Sequence, residues 1–365
     1  MAFFQFIWRS DLIVTSPFTE QANPHLKTTP KQILSVAILI LALLAPAIIP
    51  TAPAFTTSKS TFSVIWITDT QYLSESHPQS YTDLCRWIVQ NKETYNIKMV
   101  IHTGDIVNDE GNKTQWLNAN QSMSVLLDND VPYCWNAGNH DYNTSYWIGN
   151  QYAAFNPALM QTKSYWVSDK FDGMNTAVRF KVSDWECLII NVAFNANETV
   201  VLWVNNLLDS NPDAHAIVAM HMYLNKEGKY DEWATTFKKE VLDTHSNVFL
   251  TLSAHYYPTE GKVVKAGDRF ELLFNQQDAF ERMGAASARI LTFDVSGGIV
   301  DVQTYLVPSS QFLTDSNNAF TLTTNFRNDV AENVWVIAVV LVVVLCLGLV
   351  VGFVVKLRFF LKKPI

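Results

Sequence analysis

Apolar residues fall along this chain in two registers. Phe62-Ser-Val-Ile-Trp-Ile-Thr68 is almost continuously apolar, the pattern of a strand buried on both faces. Residues 79–93 instead place Tyr81, Leu84, Cys85 and Ile88 at helical spacing. Ile97–His102 reads as a strand again, 114–128 as a helix and Val131–Asn136 as a short strand. Strand, helix, strand, helix, strand implies parallel pairing with helical crossovers, so the expected fold class is α/β. Further strands are predicted at 187–193, 215–220, 248–253, 289–294 and 299–306, and a helix at 199–209. No internal repeat is visible. Residues 309–333 are polar with few core candidates, and read as a stalk.

Two longer apolar runs flank this region. Residues 334–355 hold 22 residues without a charge, enough to cross a hydrocarbon layer of about 30 Å. The tail 356–365 follows with Lys356, Arg358, Lys362 and Lys363 and no acid. Cationic flanks stay on the cytoplasmic side, so the span predicts an inside C-terminus and an outward-facing middle domain. The run 33–49, within a leader 1–54, is preceded by Lys27 and Lys31 and followed by Ala52-Pro53-Ala54, a small-x-small pattern of the kind signal peptidases cut. A cleaved signal peptide and a retained N-terminal anchor both remain open. The predicted localisation is the cell membrane, with the middle domain on its extracytoplasmic face.

Composition agrees with that layout. Only 16% of the residues are charged, against 48% hydrophobic. Residues 55–332 hold 19 Lys+Arg and 32 Asp+Glu, a net of 19 − 32 = −13. So acidic a region makes a poor non-specific partner for phosphate backbones, and no nucleic acid is expected. Its richness in aromatic and β-branched residues excludes a disordered segment. The cysteines Cys85, Cys134, Cys187 and Cys346 form no CxxC motif and read as buried single thiols. Sequons at Asn112, Asn120, Asn143 and Asn197 are compatible with an extracellular domain.

Five predicted strands end in polar groups: Asp69-Thr70-Gln71, Gly104-Asp105, Gly138-Asn139-His140-Asp141, His221 and Ala254-His255. Open α/β sheets bind ligands at the carboxyl ends of their strands. Asp, Asn, Gln and His gathered there point to a metal site assembled by the sheet. Single residues of this kind have plainer uses. His102, inside a strand, reads as a packed structural histidine, and Asp141 as a local support for its loop. The aromatic loop Tyr142, Tyr146, Trp147, Tyr152, Phe155, Tyr165 and Trp166 reads as rings packing the loop down rather than as a substrate wall.

In this order the motifs resemble those of the calcineurin-like metallophosphoesterases, whose pattern runs D-x-H or D-x-Q, G-D, G-N-H-D/E, H, and G-H-x-H. The resemblance covers residues 60–308. It implies a four-layer α/β/β/α sandwich carrying two metal ions (Mn, Fe, Zn or Mg), and hydrolysis of a phosphate mono- or diester by a metal-bound hydroxide. Asp69, Gln71 and Asp105 match ligands of a first metal. Asp105, which bridges, Asn139, His221 and His255 match those of a second. His140 matches the imidazole that contacts the phosphate or protonates the leaving group.

Two positions depart from the pattern. Ala254 replaces a glycine, so the backbone there must accommodate a Cβ. Tyr257 stands where a second histidine would bind the first metal. It can ligate as phenolate, leave its place to water, or leave the first site empty. The leading function is therefore an outward-facing, membrane-anchored phosphoesterase. The alternative is a surface binding protein on the same fold with impaired chemistry.

Overall fold

The computed structural model describes residues 61–143, 147–256, 262–275, 277, 286–324 and 326, with isolated positions at 343–345, 348, 352 and 356. All belong to the unit Thr57–Ile365, one of two into which the chain divides. In chain order the elements are β1 (Thr61–Ile67), α1 (Gln71–Ser76), α2 (Pro78–Gln90), β2 (Ile97–His102), α3 (Lys113–Asp128), β3 (Tyr133–Trp135) and α4 (Pro157–Met160). Then come β4 (Trp166–Lys170), β5 (Asn175–Val182), β6 (Trp185–Val192), α5 (Glu198–Asp209), β7 (His215–Met220) and α6 (Glu232–Phe237), which runs on as a π-turn over Lys238–Leu242. Last are β8 (Val248–Ser253), β9 (Lys262–Ala266), β10 (Arg269–Leu273), β11 (Ser287–Asp294), β12 (Ile299–Leu306), β13 (Gln311–Leu313) and β14 (Phe320–Thr323).

These strands form two seven-stranded sheets. The first runs β13-β12-β11-β1-β2-β3, with β14 also paired to β12; the second runs β4-β5-β6-β7-β8-β10-β9. The pairs β1/β2, β2/β3, β6/β7, β7/β8 and β8/β10 are parallel. Side-chain alternation then sorts each strand between two cores. In β1, Phe62, Val64 and Trp66 enter the core between the sheets, while Ile65 and Ile67 pack outward with α2 and α3. In β6, Cys187 and Ile189 face the same inter-sheet core, while Leu188, Ile190 and Val192 pack with Val200, Val204 and Leu208 of α5. Each sheet is thus backed by helices on its outer face.

Local chemistry sets the helix starts. Asn112 accepts from the N–H groups of Thr114 and Gln115 at the start of α3, and Asn197 from Val200 at the start of α5. The α2 residues Tyr81, Leu84, Cys85 and Ile88 are fully buried, as their spacing predicts. Cys85, Cys134 and Cys187 are free and buried.

One boundary is corrected. The polar stretch expected to be a stalk carries β13 and β14, whose backbone pairs with β12. Leu322 and Phe326 are buried, so the domain runs to at least Phe326. Two short strands in polar sequence owe their place to an existing sheet edge, not to their own pattern. Strands β4, β5, β9 and β10 were likewise unpredicted. The runs 33–49 and 334–355 lie wholly or largely outside the described residues. Among the described residues no helix is long and apolar enough to cross a membrane.

Candidate metal centre

Parallel strands of both sheets deliver their carboxyl ends to one pole. Beyond β1, Asp69 takes a left-handed backbone with φ 49°. Beyond β2, Gly104 and Asp105 do the same at φ 86° and 51°. The Asp69 N–H donates to Gly104 O at 3.0 Å, pinning the two turns together. The loop after β3 then approaches so closely that a Cβ on Gly138 would lie 2.2 Å from Asp105 Oδ1. Glycine is required there by contact rather than by φ.

His102 secures the same junction from below. It is fully buried, accepts from Gly104 N at 3.2 Å through Nδ1, and meets Thr70 Oγ1 at 2.9 Å through Nε2. Burial, then the neighbouring His221, pushes its pKa down to about 3, so it is neutral. It is packed, as expected, and also links the first two motifs. Asp141 does more than support its own loop. Its carboxylate accepts from Gly138 N at 2.7 Å, Ile106 N at 2.7 Å and Val107 N at 2.9 Å.

The side chains between these turns converge. Single ligand atoms of Asp105, His221 and His255 lie within 4.8 Å of one another. His221 donates from Nδ1 to Thr103 O at 2.7 Å, which leaves Nε2 facing Asn139 Oδ1 at 3.0 Å and Asp105 Oδ1 at 3.4 Å. Asp105 Oδ1 also accepts from His140 N at 3.0 Å, and its Oδ2 from Gln71 Nε2 at 3.3 Å. On the other side a relay runs from Trp66 Nε1 to Thr103 Oγ1, on to Thr68 Oγ1 and then to Asp69 Oδ2, at 2.8, 2.6 and 2.6 Å. His140 is half-buried at the rim, its Nδ1 held by Asn108 O at 3.0 Å.

Electrostatics and satisfaction test whether cations fit. Burial alone would lower His221, yet the Asp105 carboxylate and its hydrogen bond raise the pKa to about 9. Burial raises Asp69 to about 7, with His221 opposing and Asp105 adding to the rise. A neutral His221 would aim its Nε2 lone pair at two oxygens, so a proton or a cation belongs among them. Asp69 Oδ1 and Gln71 Oε1 are buried with no hydrogen-bond partner. Buried acceptors without donors are costly, and a cation is the ordinary remedy. The donor set fits: imidazole, amide and carboxylate suit Mn, Fe or Zn, and the oxygen-only side around Asp69 suits harder cations.

The structure thus brings together Asp69, Gln71, Asp105, Asn139, His221 and His255, with His140 beside them. Tyr257 lies outside the described residues. Ala254 is buried and does not adopt a positive φ; the left-handed residue is His255, at φ 64°. The Cβ at Ala254 is therefore accommodated without backbone strain. The aromatic loop packs down: Trp147 and Phe155 meet the Trp116 ring edge-on, and Tyr152 stacks on it. Tyr146 lies outside the described residues. Sequence reasoning missed Phe194, whose ring sits 5.5 Å from His255 and 6.1 Å from His221. Its signal was available, since it follows the predicted strand 187–193 just as the ligand candidates follow theirs.

Known proteins resemble this chain to different degrees. The purple acid phosphatase PPD1 from yellow lupin (Lupinus luteus) seeds superposes with a TM-score of 0.46 at 14% identity, covering 74% of this chain and 55% of that one. GAP50, the anchor in the inner membrane complex of Plasmodium, gives 0.48 at 12%, covering 74% and 90%. The uncharacterized protein YvnB of Bacillus subtilis (strain 168) is 30% identical over 272 residues, 71% of this chain. The chain spans about a fifth, 21%, of that relative's length. The sequence profile of the calcineurin-like phosphoesterase family matches residues 62–256, the stretch that supplies every described ligand candidate. With that match, the chain belongs to the calcineurin-like phosphoesterase family.

Proposed function

We propose that this chain is a metal-dependent phosphoesterase, held at the outer face of a membrane by the span 334–355 and hydrolysing phosphate mono- or diesters. One observation carries the chemistry. Asp69 Oδ1 and Gln71 Oε1, both buried and unpaired, flank the Asp105–His221–His255 cluster. Asp69, Gln71 and Asp105 would hold one cation, with Tyr257 or water completing it. Asp105, Asn139, His221 and His255 would hold a second. Bound cations supply Lewis-acid polarisation of the phosphoryl group and an acidified water.

The rest falls to the protein. Asp105 is placed to serve both ligand sets, because one of its oxygens meets His221 and the other Gln71. Asn108 O fixes the His140 ring through Nδ1, which leaves Nε2 for the substrate. As the imidazolium, Nε2 donates to a phosphoryl oxygen or gives its proton to the leaving group. Thr103 O keeps His221 in the tautomer whose Nε2 can ligate.

Elemental analysis of the purified protein, paired with turnover of a generic aryl phosphate, tests this reading. Two metals per chain with turnover support it. One metal or none without turnover favours a surface binding protein, the reading that the A-H-Y-Y sequence at 254–257 recommends. Topology has its own test. Protease added to intact cells should remove the domain and spare the tail 356–365; a fully protected domain sinks the outward orientation.

A further inference from the structure

The described residues nearest the two apolar runs, Thr61 and Phe326, lie at one pole of the domain, and the candidate metal centre occupies the other. Phe326 is the last described residue before the run that opens at Val334. Its ring is 5% exposed and packs against Trp185, Phe249 and Phe293, at 5.7, 5.3 and 6.2 Å between centroids. It also meets His215, at 6.1 Å. Trp185, His215 and Phe249 open β6, β7 and β8 or lie one residue inside. The ligand candidates His221 and His255 follow the far ends of β7 and β8. Phe293 stacks on Phe62 at 5.0 Å, and Phe62 is the second residue of β1. The chain arriving from the N-terminal apolar run therefore enters at this pole too, while Asp69 lies past the other end of the strand.

We propose that this aromatic pole faces the bilayer and that the metal centre opens away from it, so that the substrate is a water-soluble phosphoester and not a headgroup of the anchoring membrane. The inference rests on the anchoring and on the phosphoesterase activity proposed above. Length sets the constraint. Residues 327–333 separate Phe326 from the apolar run. Fully extended, that tether reaches about 25 Å. A six-residue strand such as β7 already spans about 20 Å, before the loops at either end are added. Turning the site toward the bilayer would stretch the tether along the whole height of the domain and cost it nearly all its conformational freedom. With the aromatic pole down, residues 327–333 need not span the domain, and a headgroup phosphate lies a domain's height from His140.

The two ends of the parallel pair β6/β7 supply the test. Asp213 and Glu198 are exposed, one just before β7 and one opening α5 past the far end of β6. The full chain, with Cys346→Ser and either Asp213→Cys or Glu198→Cys, carries one donor dye. Cys85, Cys134 and Cys187 are buried and escape labelling. The labelled chain is reconstituted into phosphatidylcholine vesicles bearing an acceptor dye on the headgroup. Energy transfer should be about twofold or more higher from position 213 than from 198, since the strands hold the sites about 20 Å apart. Equal or reversed transfer in a chain that floats with the vesicles overturns the orientation. A chain that fails to float overturns the anchoring, and this inference with it.

Activity reads the substrate class. With metals added, a soluble aryl phosphate should be turned over equally in vesicles and in detergent. The same ester carried on a short-linker lipid in the same vesicles should react at least about tenfold more slowly, because it is held away from the reacting geometry. Equal rates would refute the substrate assignment. No turnover of either ester would refute the phosphoesterase reading and the substrate class together, while the transfer experiment would still judge the orientation.

Discussion

Asp141→Ala removes the acceptor that joins two ligand-bearing turns. The carboxylate is fully buried and receives three backbone N–H groups, from Gly138, Ile106 and Val107. Burial and then the Asp105 charge push this carboxyl up to about 8, against the pull of the Val107 and Gly138 N–H groups. Three backbone donors converge on it and, among the described residues, the carboxyl gives no hydrogen bond, which favours the ionised form against that push. Alanine leaves all three donors buried without partners. At about 1–3 kcal/mol per orphaned group, less what entering water recovers, the expected loss is about 3–6 kcal/mol. That is a large share of a typical stability of about 5–15 kcal/mol. Asp141→Asn separates the contributions. Its oxygen can keep Ile106 and Val107, but its NH2 then faces the Gly138 N–H donor to donor, for a loss of about 2–3 kcal/mol. Thermal unfolding of the EDTA-treated protein, followed by tryptophan fluorescence, should place alanine lowest and asparagine between it and the wild type. For a domain of this size about 1 kcal/mol shifts the midpoint by about 2–4 °C, so the alanine variant should melt about 10 °C early. An alanine variant within about 2 °C of the wild type would refute the claim that this carboxylate ties the two turns together.

Three further outcomes are expected. Asp105→Asn should remove most activity and weaken both cations, whereas His140→Ala should cut turnover and leave metal content near normal; equal metal loss in both, by elemental analysis, contradicts the assigned roles. Tyr257→His should tighten the first cation and raise turnover, because imidazole joins three oxygen donors; a wild type that is coloured with Fe(III) and more active than this variant instead identifies Tyr257 as a phenolate ligand. His102 should make the fold acid-sensitive. Its folded pKa is depressed to about 3, so the unfolded chain binds the proton first and stability falls as pH drops below about 6.5. Between pH 6.5 and 4.5 that loss is about 2–3 kcal/mol, and His102→Leu, though less stable at pH 7, should show a correspondingly flatter denaturation midpoint across the window.

Legibility differed by element. β2, β7 and β8 lie where hydrophobic runs placed them, because a strand buried on both faces leaves a nearly unbroken apolar signature, and β12 shows instead the alternation of a strand buried on one face. β4, β5, β9 and β10 escaped because strands near a sheet edge, or with one face toward solvent, carry mixed sequence. Trp166–Lys170 is only half-buried throughout, and β5 turns from buried to alternating at Arg179. The stalk expectation failed for the same reason. Phe320–Thr323 buries little beyond Leu322, and pairing with β12 makes it a strand.

By itself the sequence determined which residue types stand at the carboxyl ends of five strands, in what order, and therefore which family the chain resembles. Strand periodicity and turn chemistry are local, and a chain read in one dimension displays them in full. Distance between motifs is not local. Only the tertiary structure decided that His102 clamps the first two motifs, that Asp141 reaches across to Ile106 and Val107, and that Phe194 flanks both imidazoles. It likewise decided that Phe62 and Phe326, 264 positions apart in sequence, belong to one aromatic pole opposite the metal centre. Those relations depend on which sheet face each side chain enters and how the two sheets stack. Packing of many residues at once sets that, and no single segment encodes it.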